Sequence, residues 1–194
     1  MTLDEIVSDY IREYRDHARK EMRFFEIQRS PSKAIRKAAL CELPSGKRHP
    51  HQRRIPRALL EQVEARLQGI CRKLAGASSF DELHRAMEDE VGSLKGIGAL
   101  TVYDIAQRIG AYFRKIPDRV YLHAGTRIGA WVFKIGGDSF DPKLLPKAFS
   151  RLAPSEIEDC LCIYKDELRN GTHSRGSGPK SGCAVAVRQR CAWE

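Results

Sequence analysis

The chain has 194 residues, 42% hydrophobic and 8% aromatic, and 34 Lys and Arg against 25 Asp and Glu leave a formal charge of +9. That length and apolar content allow one domain or two packed lobes with a sizeable core, and exclude a disordered chain. No run approaches the roughly eighteen apolar residues that a bilayer span needs and no apolar signal segment opens the chain, so a cytoplasmic, nucleoid-associated monomer with a polyanionic partner and no membrane is expected.

Thr2 and Glu5 form a capping box for a first helix whose inner side is Ile6, Val7, Tyr10, Ile11, Tyr14 and Ala18, with Phe24, Phe25 and Ile27 extending the core. Ser30-Pro31-Ser32 breaks the pattern, a short helical piece runs from Ala34 to Leu40, and Leu43 to Gly46 reads as a turn. From Lys47 to Arg57 five fixed positive charges and two histidines fall in eleven residues, with two prolines that forbid a regular helix. This loop is either a solvated surface run or a phosphate-contacting segment carrying Lys47, Arg48, Arg53 and Arg54. His49 and His51 lack a nearby third ligand, so no metal site is expected. Pro56 opens a long helix striped by Leu59, Leu60, Val63, Leu67, Ile70, Cys71 and Leu74.

Ser79 and Glu82 form a second capping box, and Leu83, Met87 and Val91 line one face of the helix that follows. Gly96-Ile97-Gly98 then supplies a tight turn. Val102, Ile105, Ala106 and Ile109 form the stripe of the next helix, with Gly110 as its expected stop. The unit spanning 79–110 therefore has the helix-hairpin-helix pattern, in which free N–H groups at Gly96, Ile97, Gly98, Leu100 and Thr101 would hold a phosphate without reading sequence. A plain turn between packed helices is the alternative.

Beyond Ile116-Pro117, Asp118 is expected to begin a helix with Val120, Ala124, Ile128 and Trp131 inward, closed by Gly136-Gly137. Asp141-Pro142 caps another helix through Leu145 and Phe149, and Pro154-Ser155 opens a last one striped by Ile157, Cys160, Leu161, Tyr164 and Leu168. No segment alternates as a strand, so the fold class is all-α: a two-lobed helical bundle over 1–169, followed by a Gly/Ser/basic tail at 170–194. Cys41, Cys71, Cys160, Cys162, Cys183 and Cys191 lack a disulfide framework spacing and read as reduced thiols.

The hairpin from Leu94 to Gly98, the helix through Ile109 and an aspartate twenty residues beyond Gly98 together resemble the helix-hairpin-helix DNA glycosylase superfamily, which includes endonuclease III and 3-methyladenine glycosylases. The resemblance implies that Asp118 is catalytic and gives Arg127 a family counterpart. Lys95 replaces the usual hairpin proline. Leu100 stands where bifunctional members carry a Schiff-base lysine, and the cysteine spacing is not that of the iron-sulfur members. A monofunctional enzyme follows, with no iron-sulfur cluster, no cofactor, and at most a monovalent cation at the hairpin.

The chemistry implied is hydrolysis of the N-glycosidic bond of a base flipped out of double-stranded DNA, which leaves an abasic site. A carboxylate would stabilise the positive charge that develops at C1′. Gln28, Gln52 and His51 are wedge candidates. Phe24, Phe25, Tyr121 and Trp131 are either pocket walls or core, and Asp118 is either the catalytic group or a helix cap. Repair of a damaged base and removal of a modified base from phage DNA fit equally; the alternatives are a non-catalytic helix-hairpin-helix DNA-binding protein and a basic adaptor or RNA-binding protein.

Overall fold

The computed structural model describes residues 1–49 and 52–172; His51 and the tail from residue 173, with Cys183 and Cys191, lie outside the described residues. Ten α-helices carry almost all of the regular structure among them. None is long and apolar enough to cross a membrane.

Helix α1 (Leu3–Glu13) has the expected capping box, with Thr2 Oγ1 accepting from Glu5 N–H and Glu5 Oε2 accepting from Thr2 N–H. The expected helix breaks at Tyr14 (φ −119°), and α2 (Arg15–Glu26) follows it. Tyr14 then stacks on Tyr10 and meets the edge of Tyr164. Ile27, expected in the core, is 60% exposed because it lies past the end of α2. Helix α3 (Pro31–Ala39) begins at the Ser30 cap, and the Leu43–Gly46 turn forms with Gly46 at φ 75°. The long helix predicted from Pro56 is two, α4 (Arg57–Gly69) and α5 (Cys71–Gly76), separated at Ile70.

Helix α6 (Phe80–Val91) is capped by Ser79, but the Glu82 carboxylate passes Ser79 and accepts from both Ser78 N–H and Ser78 Oγ. The capping box is thus displaced by one residue. Helix α7 (Ala99–Phe113) packs against α2, α3 and α6 and buries its whole predicted stripe. Gly110 does not stop it. The helix ends at Arg114, which takes the left-handed conformation at φ 56°, and Lys115 N–H turns back to Gly110 O. A side chain at Gly110 would collide with Lys115 O, so that close approach is the reason for the glycine.

Beyond α7 the structure departs most from the sequence expectations. Asp118 does not begin a helix: it sits exposed in a bend leading to β1 (Val120–Tyr121), which pairs antiparallel with β2 (Ser139–Phe140). This two-rung ladder is too short to show alternation in sequence. Helix α8 (Ala124–Trp131) starts only after His123 and turns Thr126, Gly129 and Ala130 inward. Ile128 and Trp131, expected inside, are 40% and 78% exposed. Gly125 and Gly129 explain the rotation, since side chains there would collide with Cys162 Sγ and Leu161 O of the helix against which α8 lies. The helix expected after Asp141 is a pair of 3-10 turns (Pro142–Leu144 and Lys147–Arg151). Helix α9 (Pro154–Ile163) and helix α10 (Lys165–Thr172) replace the single last helix.

Two apolar clusters result. One joins α2 to α7, centred on Phe25, Leu67, Phe80, Met87 and Ile105; the other joins α1, the ladder and α8 to α10, centred on Ile6, Tyr10, Phe149, Ile157 and Leu161. Each fully buried Leu, Ile or Phe contributes about 1.5–3 kcal/mol of transfer free energy. Cys41 and Cys160 pack inside these clusters as small hydrophobes, and the described cysteines form no disulfide with one another.

Candidate active site

A cleft of about 790 Å³ opens between the two clusters, walled by α2 and α7 on one side and α9 on the other. Its floor is acidic: Glu21, Asp104, Glu158 and Asp159 all line it, together with Arg108. Its α2 rim carries mixed charge: Arg19 pairs with Glu156 and Arg23 with Glu26, with Lys20 and Asp16 beside them. Charged groups partly buried along a cleft are the setting in which carboxyl chemistry is tuned.

Local sequence explains how the floor is built. Asp104 and Arg108 are the only charged residues of α7, spaced i, i+4 on an otherwise apolar or neutral helix, so both lie on one side beside the buried stripe. Glu21 falls on the inner face of α2 between Ala18 and Phe25. Arg108 donates to Glu21 Oε1 (Nη2 at 3.2 Å) and lies 5.7 Å from the centre of the Phe25 ring, a buried ion pair with a cation–π contact. Breaking such a pair by removing one partner costs about 3–5 kcal/mol. His49 Nε2 stands 3.8 Å from the other Glu21 oxygen.

Asp104, Glu158 and Asp159 form no salt bridge among the described residues. Burial pushes Asp104 up to about 6, although the Arg108 charge and the hydrogen bond from Gln52 pull the other way. Burial raises Glu158 well above the carboxylate range, helped by the neighbouring Asp159 charge, and raises Asp159 likewise. Thr126 Oγ1 donates to Glu158 Oε1 at 2.5 Å, and Tyr10 Oη donates to Asp159 Oδ2 at 3.1 Å. At neutral pH Asp104 is therefore mostly ionised, beside a Glu158–Asp159 pair that favours keeping a proton.

The glycine turn borders this cleft. Gly96 has φ +100°, Ile97 N–H closes on Leu94 O at 2.9 Å, and Ile97 is buried as the anchor of the turn. Helix α7 starts at Gly98 without any side-chain cap, leaving its first N–H groups free for an anion at exposed residues Ala99 and Leu100. Leu100 also lines the cleft, and Thr101 is half-buried beside it. At a rise of about 1.5 Å per residue, Asp104 lies about 9 Å along the axis from Gly98.

The cationic loop adjoins the same face. A side chain at Gly96 would meet Leu59 Cδ2 of α4 at 3.0 Å, so the turn packs beside the end of the loop. His49 and Gln52 point inward and are 5% and 2% exposed; Gln52 Nε2 donates to Asp104 Oδ2, so Gln52 is a floor support and not a surface wedge. Arg48 donates to Ile55 O and ties the loop to itself, whereas Lys47, Arg53 and Arg54 are exposed.

Other expected residues lie elsewhere. Asp118 is outside the cleft lining, as are Gln28, Tyr121 and Trp131. Gln28 Nε2 is used on Phe24 O at 2.6 Å. Phe25 lies under Arg108 and Phe24 packs edge-on against it, so neither walls the cleft. Tyr121 belongs to an aromatic cluster with Phe80, His84, Tyr103 and His123, and its hydroxyl donates to Asp81. Arg127 fastens α8 to the ladder through Gly137 O and Asp138. Among the described residues no group of three or more metal-ligating side chains is placed to hold an ion. Glu21, Asp104, Arg108, Glu158 and Asp159 were not singled out from sequence; charged residues adjoining apolar helical stripes were the available signal.

Comparison of the chain with family models, with characterised proteins and with solved structures gives no match.

Proposed function

We propose that the protein is a monofunctional DNA glycosylase that holds double-stranded DNA at a helix-hairpin-helix formed by α6, the glycine turn and α7, and receives an extruded nucleotide in the cleft. The observation that carries this reading is that one helix serves both tasks: α7 begins with free N–H groups at the turn and, one to two turns later, presents Asp104 to the cleft floor. A phosphate bound at the first turn leaves its nucleotide within reach of that floor. The exposed Lys47, Arg53 and Arg54 add nonspecific attraction for the duplex.

In this reading Asp104, not Asp118, is the ionised carboxylate that stabilises the oxocarbenium character at C1′ and orients the attacking water. The position that carries a lysine in the bifunctional members of the resembled superfamily is Leu100, at the cleft lining, so base release is hydrolytic and leaves an intact abasic site.

The test is incubation of the protein with duplexes carrying alkylated, oxidised, deaminated or hydroxymethylated bases, followed by alkali to cleave abasic sites. The parent and Asp118→Asn should release base from at least one duplex, and Asp104→Asn should bind it without releasing any. Loss of activity in Asp118→Asn alone would return the catalytic role to Asp118. Duplex binding with no release from any substrate would support a non-catalytic DNA-binding protein instead.

A further inference from the structure

Resting on the base-excision reading, we propose that Glu158 is the proton donor to the departing base, so that the cleft works with two carboxyl groups in different roles. Glu158 is 7% exposed and lines the cleft on α9, across from Asp104 on α7. One oxygen, Oε1, is held by the Thr126 hydroxyl, which fixes the side chain. The other, Oε2, has no hydrogen-bond partner among the described residues and yet is not sealed inside the protein. A carboxyl group with one oxygen anchored and the other open to a cavity is arranged to carry a proton at the open oxygen.

Its surroundings decide which form it takes. Asp159 on the same helix, Asp104 and the Tyr103 ring on α7 face it, and α1 contributes Tyr10, whose hydroxyl is engaged by Asp159. From α8 comes only a neutral hydroxyl, Thr126. The nearest cation of the floor, Arg108, is engaged by Glu21. Negative neighbours and burial both favour the protonated acid.

As the base leaves, the C1′–N bond breaks with its electron pair going to the base, which takes the proton from Glu158 Oε2 on a ring nitrogen or carbonyl oxygen. Water adds to C1′ and gives a proton to Asp104, leaving a C1′ hydroxyl. Proton exchange with water in the open cleft restores Asp104 to the carboxylate and Glu158 to the acid.

The experiment compares the parent, Glu158→Gln and Asp104→Asn on two kinds of duplex. One kind carries neutral bases that need a proton to leave (hypoxanthine, uracil, 8-oxoguanine); the other carries cationic bases that do not (7-methylguanine, 3-methyladenine). Gln keeps the size of Glu and still accepts from Thr126, and binding to a duplex with a non-cleavable 2′-fluoro nucleotide checks that the fold and grip survive. On neutral bases Glu158→Gln should lose about 10²–10⁴-fold in single-turnover rate, the range for general acid catalysis. The parent rate should fall about tenfold per pH unit above the Glu158 titration, a limb missing from the variant. On cationic bases the loss should be much smaller than on neutral ones, because those bases leave without a proton from the protein.

Unchanged release of neutral bases by Glu158→Gln, or a parent that releases cationic bases alone, would overturn the assignment while leaving base excision standing. No release by the parent from any duplex would overturn base excision and the proton donor with it.

Discussion

Gln52 Nε2 donates its hydrogen bond to Asp104 Oδ2, joining the inner end of the cationic loop to the middle of α7. The Gln52 side chain is buried and its carbonyl oxygen has no partner, so its one hydrogen bond serves Asp104. Donation to a carboxylate favours the ionised form.

Gln52→Leu should therefore move Asp104 above about 6 and shift the acid limb of base release to higher pH. The variant should be slower than the parent at pH 6–7 and approach it near pH 8. Stability should change by no more than about 1 kcal/mol, because the substitution also removes an unsatisfied buried acceptor. Urea denaturation and the pH–rate profile check the two halves separately.

Stability should depend on pH through groups of opposite sign. Asp104 is raised by burial from 3.8 to about 6, so the folded protein binds its proton more tightly than the unfolded chain, and stability is lost as pH rises from about 4 through 6. His123, lowered by burial from 6.5 to about 4, acts the other way: its contribution is present above 6.5 and lost as pH falls toward 4. Relative to the parent, Asp104→Asn should gain stability between pH 4 and pH 7, whereas His123→Phe should gain between pH 6.5 and pH 4. Thermal melts of the three proteins across that range would show the crossing trends, and parallel curves would contradict both assignments.

The two glycines of the turn should separate folding from grip. Gly96→Val forces a β-branched residue to φ +100° and against Leu59, and should cost roughly 1–3 kcal/mol of stability. Gly98 has φ −94° and open space where a side chain would go, so Gly98→Val should fold with a loss of under about 1 kcal/mol. Its methyl groups nonetheless crowd the first N–H groups of α7, and affinity for duplex DNA should fall whatever the sequence. Equal affinity of Gly98→Val and parent at moderate salt would show that no phosphate binds there.

Reversing the exposed loop cations, Lys47, Arg53 and Arg54, to Glu should weaken duplex binding and flatten its salt dependence by about 0.9 in log–log slope for each phosphate that the loop no longer neutralises. Arg48 belongs outside that set, since its guanidinium holds Ile55 O and its replacement would disturb the loop itself. A slope identical to the parent's, measured by fluorescence anisotropy over a salt series, would place the loop away from the DNA.

The sequence alone determined what depends on neighbours in the chain. Apolar stripes at helical spacing located α1, α4, α6, α7 and α9, Thr2 and Ser79 marked two starts, and Val102, Ile105, Ala106 and Ile109 specified the buried face of α7, because local periodicity and capping are short-range effects. It also marked the glycine turn and the basic loop beside it. Tertiary structure decided the breaks at Tyr14 and Ile70, the ladder that leaves Asp118 exposed, and the rotation of α8 that turns Trp131 outward, since each depends on which backbone lies alongside. The acidic floor was decided there too. Glu21, Asp104 and Glu158 are far apart in sequence and individually ordinary; only the packing of α2, α7 and α9 around one cleft removes water from them together, and that desolvation raises Asp104 and Glu158 while the Arg108 pairing holds Glu21 in place.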